Sequence, residues 1–446
     1  MSRHSSLFPR NFRKNYPLAV RGQGCWIFTA DGKRYLDAAG QAAVVSIGYG
    51  LQSVGRAMAE QAGQLPFTHT SQFHTPAAEG LASRLLELAP QAMSHGGRVY
   101  FTSGGSEANE TAIKLARQFH LERGQQDRFR VVSRRQSYHG STIGAMALSD
   151  NVARKAPYQQ LLPDWGHIAP CFCARCPLSL RFPSCNLACA GELEALLERE
   201  AESIAAFIFE PVVGATLGAV APPEGYVQRI AEICRRHDIL LIADEIMTGM
   251  GRTGKHFAVE HWNVEPDIIT VGKGVAGGYA PLGAVIAGSR VVEAFAKGSG
   301  VFQHGFTYQA HPVAMAAGNA VLDAMEQDNL FARVAEAGGA LFAALGPLRR
   351  HPHVGDVRGL GLLAGVEFVR DKRTLEPFPA EEKVCEKIRD AAMEHGVLTY
   401  PTQGCVDGRR GDHILLAPPF TVSEAECAII GRALMAALED VFRNAG

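Results

Sequence analysis

The sequence lacks an excess of charge of either sign. Its 44 lysines and arginines face 45 acidic residues, so no net field draws it to nucleic acid or to an anionic membrane, and the expected partner is a small molecule. It has no apolar run approaching the roughly 18 residues of a membrane span. The opening stretch MSRHSSLFPR has no apolar segment of the secretory kind. The chain is basic and poor in acids up to Asp31, a composition shared by organelle transit peptides but expected here of a solvated arm. No repeat and no low-complexity segment is present. Cysteine is sparse for a disulfide scaffold: ten in 446 residues, five of them between Cys171 and Cys189. Reduced thiols and a cytoplasmic setting are the expectation.

What is present is an ordinary globular composition, 47% hydrophobic and 20% charged, in a chain long enough for two or three domains. Short β-branched and aromatic runs alternate with helical patterns through the middle of the chain. Val99 to Phe101, Val131-Val132, Ala205 to Phe209, Ile239 to Ala243 and Ile268 to Val271 are expected strands. Between them, residues 107–120 place Ala108, Ala112, Ile113, Ala116 and Phe119 on one helical face, and residues 225–237 form a second helix with a basic end. This rhythm predicts an α/β fold with a large, mostly parallel sheet. The expected division is an amino-terminal arm and part of a small domain over residues 1–50, a large domain over 51–324, and a smaller α+β domain over 325–446. Trp26 to Phe28 and the turn Asp31-Gly32 predict a hairpin in the arm.

Three expected strands stop at an ionisable residue: Glu210, Asp244 and Lys273. In an open parallel sheet, ligands bind at the carboxyl ends of strands, so the three groups are expected to face one crevice. Taken singly, Glu210 reads equally as a helix cap, Asp244 as the start of a turn and Lys273 as a solvated loop lysine. The run Phe101 to Glu107 (FTSGGSE) passes from strand through glycines into a helix, a geometry that offers free amides to a phosphate. Gly105 lets the backbone approach and Ser106 adds a hydroxyl. Neither the dinucleotide GxGxxG nor the GxxxxGK[ST] pattern is matched, which removes the ground for a dinucleotide oxidoreductase. Phosphate, lysine and carboxylate together suit pyridoxal phosphate, whose aldehyde needs an amine, whose ring nitrogen needs an anion and whose phosphate needs an anchor. Lys273, with its pKa lowered by desolvation, supplies the amine, and Asp244 the anion. In Tyr138-His139-Gly140 the tyrosine is a candidate to stack on the ring.

From about Tyr16 to Leu438 the sequence resembles the class III aminotransferases of pyridoxal-phosphate fold type I. The likeness is carried by Ser103 to Asn109 (SGGSEAN), Ser137 to Gly140 (SYHG), Glu210-Pro211-Val212, Asp244 to Gly254 (DEIMTGMGRTG), Gly272-Lys273-Gly274 and His304 to Pro312 (HGFTYQAHP). The resemblance implies a two-half-reaction transfer of an amino group from an amine or non-α amino acid to a keto acid such as pyruvate, with Lys273 shuttling the proton. It implies a homodimer with shared sites, in which Thr307 reaches the phosphate held in the neighbouring subunit. Gly105, Ser106, Tyr138, His139, Asp244, Met247 and Lys273 are the expected cofactor contacts, with Glu210 on the substrate side. An aminomutase, a racemase or a decarboxylating transaminase could use the same lysine and aspartate, and a non-catalytic sensor could retain the site.

Two departures stand out. Met247 occupies a place where many family members carry Gln, and cannot offer its hydrogen bond to the ring hydroxyl. Leu415 stands where related enzymes place an arginine before Pro418-Pro419; Arg409 or Arg410, slightly upstream, is the expected carboxylate ligand. The loop around Thr70, Gln72 and Phe73, with the arm, is expected to admit the substrate side chain, and Trp26 is read as core. Cys173, Cys176, Cys185 and Cys189 have a spacing that a structural zinc could use, but only eight residues separate the pairs and the family requires no metal. The expectation is reduced cysteines packing a loop.

Overall fold

The computed structural model describes residues 6–443; the first five residues of the basic amino-terminal stretch lie outside them. Seven strands form the central sheet in the order Arg98–Thr102, Gly283–Ala287, Ile268–Val271, Leu240–Asp244, Ile204–Phe209, Arg130–Arg134, His167–Ile168. All neighbours pair in parallel except Gly283–Ala287, which runs antiparallel to both its partners. Ile204–Phe209 and Ile268–Val271 are buried at every position, as strands covered on both faces must be.

The two-residue period of a strand sends alternate side chains into two separate cores. Ala206, Ile208, Leu240, Ile242 and Ile268 meet Ala108, Ala112, Ile113, Ala116 and Phe119 of the helix Gly105–Glu122. Phe207, Phe209, Leu241, Ala243, Ile269 and Val271 face the opposite way, into the core shared with Tyr226, Val227, Ile230 and Ile233 of the helix Tyr226–Arg236. The result is a three-layer α/β/α arrangement.

Two smaller sheets accompany it. Ala19–Gln23, Trp26–Thr29 and Arg34–Asp37 form an antiparallel meander around the expected turn, and Val397–Leu398 joins its edge in parallel. Val354–Leu360, Leu363–Phe368, Asp412–Leu416 and Tyr400–Gln403 form the other. Beyond Pro312 the chain forms two helices, Pro312–Gln327 and Leu330–Leu345, separated where Asn329 adopts a left-handed φ of 49°.

The segment from Cys171 holds one short 3-10 turn, Cys173–Arg175, before the helix Ala188–Glu200 that carries Cys189, and all its cysteines are free thiols. They surround a small void with Leu178, Leu180 and Phe182. Among the described residues no three His, Cys, Asp or Glu side chains are placed to hold a metal ion.

Candidate active site

Strand register brings the three strand-end groups together. Phe209 lies beside Ala243, and Asp244 beside Thr270. Glu210, Asp244 and Lys273 therefore leave three adjacent strands at the same edge, and all three line one cavity of about 170 Å³. Gly105, Ser106, Tyr138, His139 and Met247 line it too. A larger, outer chamber of about 400 Å³ adjoins it, sharing Tyr138, Ala215, Met247 and Lys273 as walls and bordered also by Arg10, Arg154 and Tyr400.

Lys273 is half-buried and holds a left-handed φ of 44°, a strained conformation for a side chain of this kind. Its Nζ has no hydrogen-bond or ion-pair partner among the described residues. Burial depresses its pKa to about 8; Asp244 and Glu210 oppose that lowering, while Arg252 and Arg154 add to it. A neutral amine facing a cavity is thus available near physiological pH.

Asp244 is the best-held acid of the site. Its Oδ2 accepts from Asn109 Nδ2 at 2.8 Å and lies 2.7 Å from His139 Nδ1, while Oδ1 accepts from the Ile246 amide at 3.1 Å. Asn109 is itself anchored, donating to the His139 carbonyl at 2.6 Å and accepting from Thr270 Oγ1 at 2.8 Å. A buried carboxylate given this many hydrogen bonds is fixed in direction. Asn109 lies in the SGGSEAN motif, yet the sequence reading gave it no role. Its signal was its place one turn into the helix, on the face turned to the sheet.

Glu210 acts as a brace. Its Oε1 accepts from the Tyr138 amide at 3.0 Å and its Oε2 from the Gly214 amide at 2.9 Å, and burial pushes its pKa up. Tyr138 is thereby held at the cavity wall, its hydroxyl 3.0 Å from Ser141 Oγ. Ser106 Oγ accepts from the Ser141 amide at 3.1 Å, and the first-turn amides at Gly105 and Ser106 have no acceptor within their helix. A Cβ on Gly105 would lie 2.8 Å from Ile246 Cδ1. Any larger residue there would have to push the Ile246 side chain aside.

Other expected residues lie elsewhere. Thr307 is exposed and is not part of the cavity wall. Phe73, 64% exposed, and Thr70 line a separate groove with Tyr100, Phe302 and Phe306. Trp26 donates to Glu426 Oε1 at 2.7 Å and packs against the core. Arg409 and Arg410 are exposed; Arg410 is bound to Asp407 at 2.7 Å, and neither borders either chamber. Two arginines do border the outer chamber, the exposed Arg10 and, from the short helix Val152–Lys155, the half-buried Arg154, which the sequence reading missed. No spacing in the sequence announces it, because only the tertiary fold carries that helix to the cavity.

The family model for class-III aminotransferases matches residues 8–438. The chain belongs to the class-III aminotransferases. It is 37% identical over 413 residues to YodT, an uncharacterized aminotransferase of Bacillus subtilis, covering 92% of each chain. Among solved structures it resembles an (S)-enantioselective omega-transaminase from Thermomicrobium roseum, with 39% identity, a TM-score of 0.91, and 98% and 96% of the two chains covered. It also resembles an amine transaminase from an uncultivated Pseudomonas species in its PLP-bound form, with 37% identity, a TM-score of 0.90, and 99% and 98% covered. The fold is that of fold-type I transaminases. The enzyme is an aminotransferase dependent on pyridoxal phosphate. The residues present fit that group: an amine without a partner, an anchored carboxylate, a helix amino terminus and an aromatic ring converge on one cavity.

Proposed function

We propose that this enzyme is an omega-type aminotransferase that moves an amino group from an amine or a non-α amino acid to a keto acid such as pyruvate, acting as a cytoplasmic homodimer. The observation that carries the reading is the Lys273 amine, unpartnered among the described residues, in a cavity it shares with the anchored Asp244. The names of the solved neighbours from Thermomicrobium roseum and Pseudomonas support the omega-type substrate class. Among the described residues no helix is long and apolar enough to cross a membrane.

When bound, pyridoxal phosphate supplies an electron sink for the carbanion left when a substrate Cα loses its proton. Around it, this chain's residues take separate tasks. Lys273 Nζ holds the cofactor and moves the proton to and from the substrate Cα; a pKa near 8 lets it be neutral when it must accept. Asp244 would present its carboxylate to the ring nitrogen, with His139 and Asn109 keeping it aimed. Gly105 and Ser106, with the partner subunit's Thr307, hold the phosphate. Tyr138 would stack on the ring and Met247 would contact it, with Glu210 holding the Tyr138 backbone through its amide.

The test is a donor and acceptor screen that follows alanine formation from pyruvate. Amines are expected to support it in wild type and not in Lys273→Ala. Absence of alanine with every amine and every non-α amino acid would contradict the omega-type reading.

A further inference from the structure

The outer chamber has a charge pattern that the chemistry so far does not use. Arg10, Arg154 and Lys273 border it, and no carboxylate does among its described lining residues. Among the described residues Arg154 has no acidic partner. Its Nη2 donates to Tyr400 Oη at 3.1 Å, and its guanidinium carbon stands 4.9 Å from the centroid of the Tyr138 ring. A guanidinium offers five N–H donors in a planar fork suited to a carboxylate. Here one is used by the tyrosine, and the fork is half-buried beside a cavity containing the reactive amine. Arg410 is paired with Asp407 outside both chambers, and Arg10, though it borders this one, is exposed to water, which weakens any ion pair it makes.

We propose that Arg154 binds the carboxylate of the keto acid acceptor, with Tyr400 steadying the guanidinium, and so sets the acceptor class as α-carboxylates. This rests on the aminotransfer reading above. The geometry gives the recognition its logic. Arg154, Tyr138 and Lys273 line the same chamber, so a carboxylate bound to the cation keeps the adjacent carbonyl in the space that the reactive amine faces. Part of the half-buried guanidinium is already screened from water, which strengthens a charge-assisted pair. An amine without a carboxylate leaves Arg154 on Tyr400 and on the Tyr138 ring, a contact that carries a modest cation–π attraction. The same chamber can therefore hold both kinds of substrate in turn. The charge of Arg154 also reaches Lys273 and contributes to its lowered pKa.

The experiment compares pyruvate with methyl pyruvate, which lacks the anion, as acceptors for holoenzyme charged with 1-phenylethylamine. Wild type is expected to favour pyruvate in kcat/KM by about tenfold to a hundredfold, the range of a charge-assisted hydrogen bond to a carboxylate. In Arg154→Met that preference collapses through KM for pyruvate, while the separately measured amine half-reaction changes less than about twofold; Arg154→Lys recovers part of it. Unreactive butyrate is expected to inhibit wild type competitively against pyruvate and to lose at least about tenfold in affinity in Arg154→Met. Equal losses in the amine and pyruvate half-reactions would reduce Arg154 to a support for Tyr138 and overturn the proposal. A collapse of the preference in Arg410→Ala instead of Arg154→Met would overturn it as well. A wild type that accepts no amine at all contradicts the aminotransfer reading itself, an outcome distinct from both.

Discussion

Asn109 shows how much of this site depends on a single uncharged side chain. It joins Asp244, the His139 carbonyl and Thr270 through short hydrogen bonds and is wholly buried. Replacing it with alanine leaves Thr270 Oγ1 and the His139 carbonyl without their partner and removes one donor from Asp244. The expected cost is about 1–3 kcal/mol of unfolding free energy, read by urea denaturation. kcat should fall with little change in KM, because the aim of Asp244 matters to the chemical step more than to binding. Asn109→Asp, which sets a second carboxylate against Asp244, should be worse on both counts. Lys273, Asp244 and Glu210 were legible in the sequence because each ends an apolar strand, and parallel strands deliver their carboxyl ends to one edge. Asn109 was half legible, lying inside a motif whose glycines attracted the attention. Arg154 was not legible: its distance from Tyr138 along the chain matches no local geometry, and Tyr400, its hydrogen-bond partner, comes from the other end of the sequence.

At the scale of elements, the loop after Asp244 is secured by its neighbour in sequence. Glu245 accepts from the Val259 amide at 2.9 Å and from the Thr248 hydroxyl, pinning the loop against the short helix Ala258–Trp262. Burial pushes its pKa up to about 7. In the unfolded chain a glutamate titrates near about 4.3, so between the two values the native state holds a proton that the unfolded state has lost. The stabilisation this gives is fully present below the unfolded value and is lost as pH rises through about 7. The wild-type Tm is therefore expected to fall from about pH 5 to about pH 7.5 more steeply than that of Glu245→Gln, measured by differential scanning fluorimetry. Identical slopes would show that Glu245 does not carry the proton. Most of the sheet was readable as apolar runs, but Gly283–Ala287 was not. Glycines and a proline crowd its flanks and mimic a turn, and its antiparallel course breaks the βαβ rhythm. The break between the helices Pro312–Gln327 and Leu330–Leu345 was likewise hidden, since apolar periodicity continues across Asn329 while the backbone does not.

The whole molecule raises the question of what its exposed aromatic face meets. Tyr308 is 63% exposed beside Thr307, and the nearby Phe67 packs edge-on against it. Thr307 lies outside the cavity of its own chain, so its proposed contact with phosphate requires a second subunit. Mixing Lys273→Ala with Thr307→Glu subunits tests this. If Thr307 serves the partner's site, half of randomly formed dimers are mixed and each mixed dimer holds one intact site, so activity returns to about a quarter of wild type. If Thr307 serves its own subunit, no mixed dimer has an intact site and activity stays at the level of the parents. A contribution from a second copy leaves no trace in the spacing of one sequence, which is why only the family resemblance suggested it.

The central claim is that one amine, Lys273, holds the cofactor covalently. Borohydride reduction of the holoenzyme followed by peptide mass spectrometry tests it directly: the account predicts the mass of reduced pyridoxal phosphate on the peptide bearing Lys273, at about one equivalent per chain, and none in Lys273→Ala. Stoichiometric label on any other lysine would contradict it.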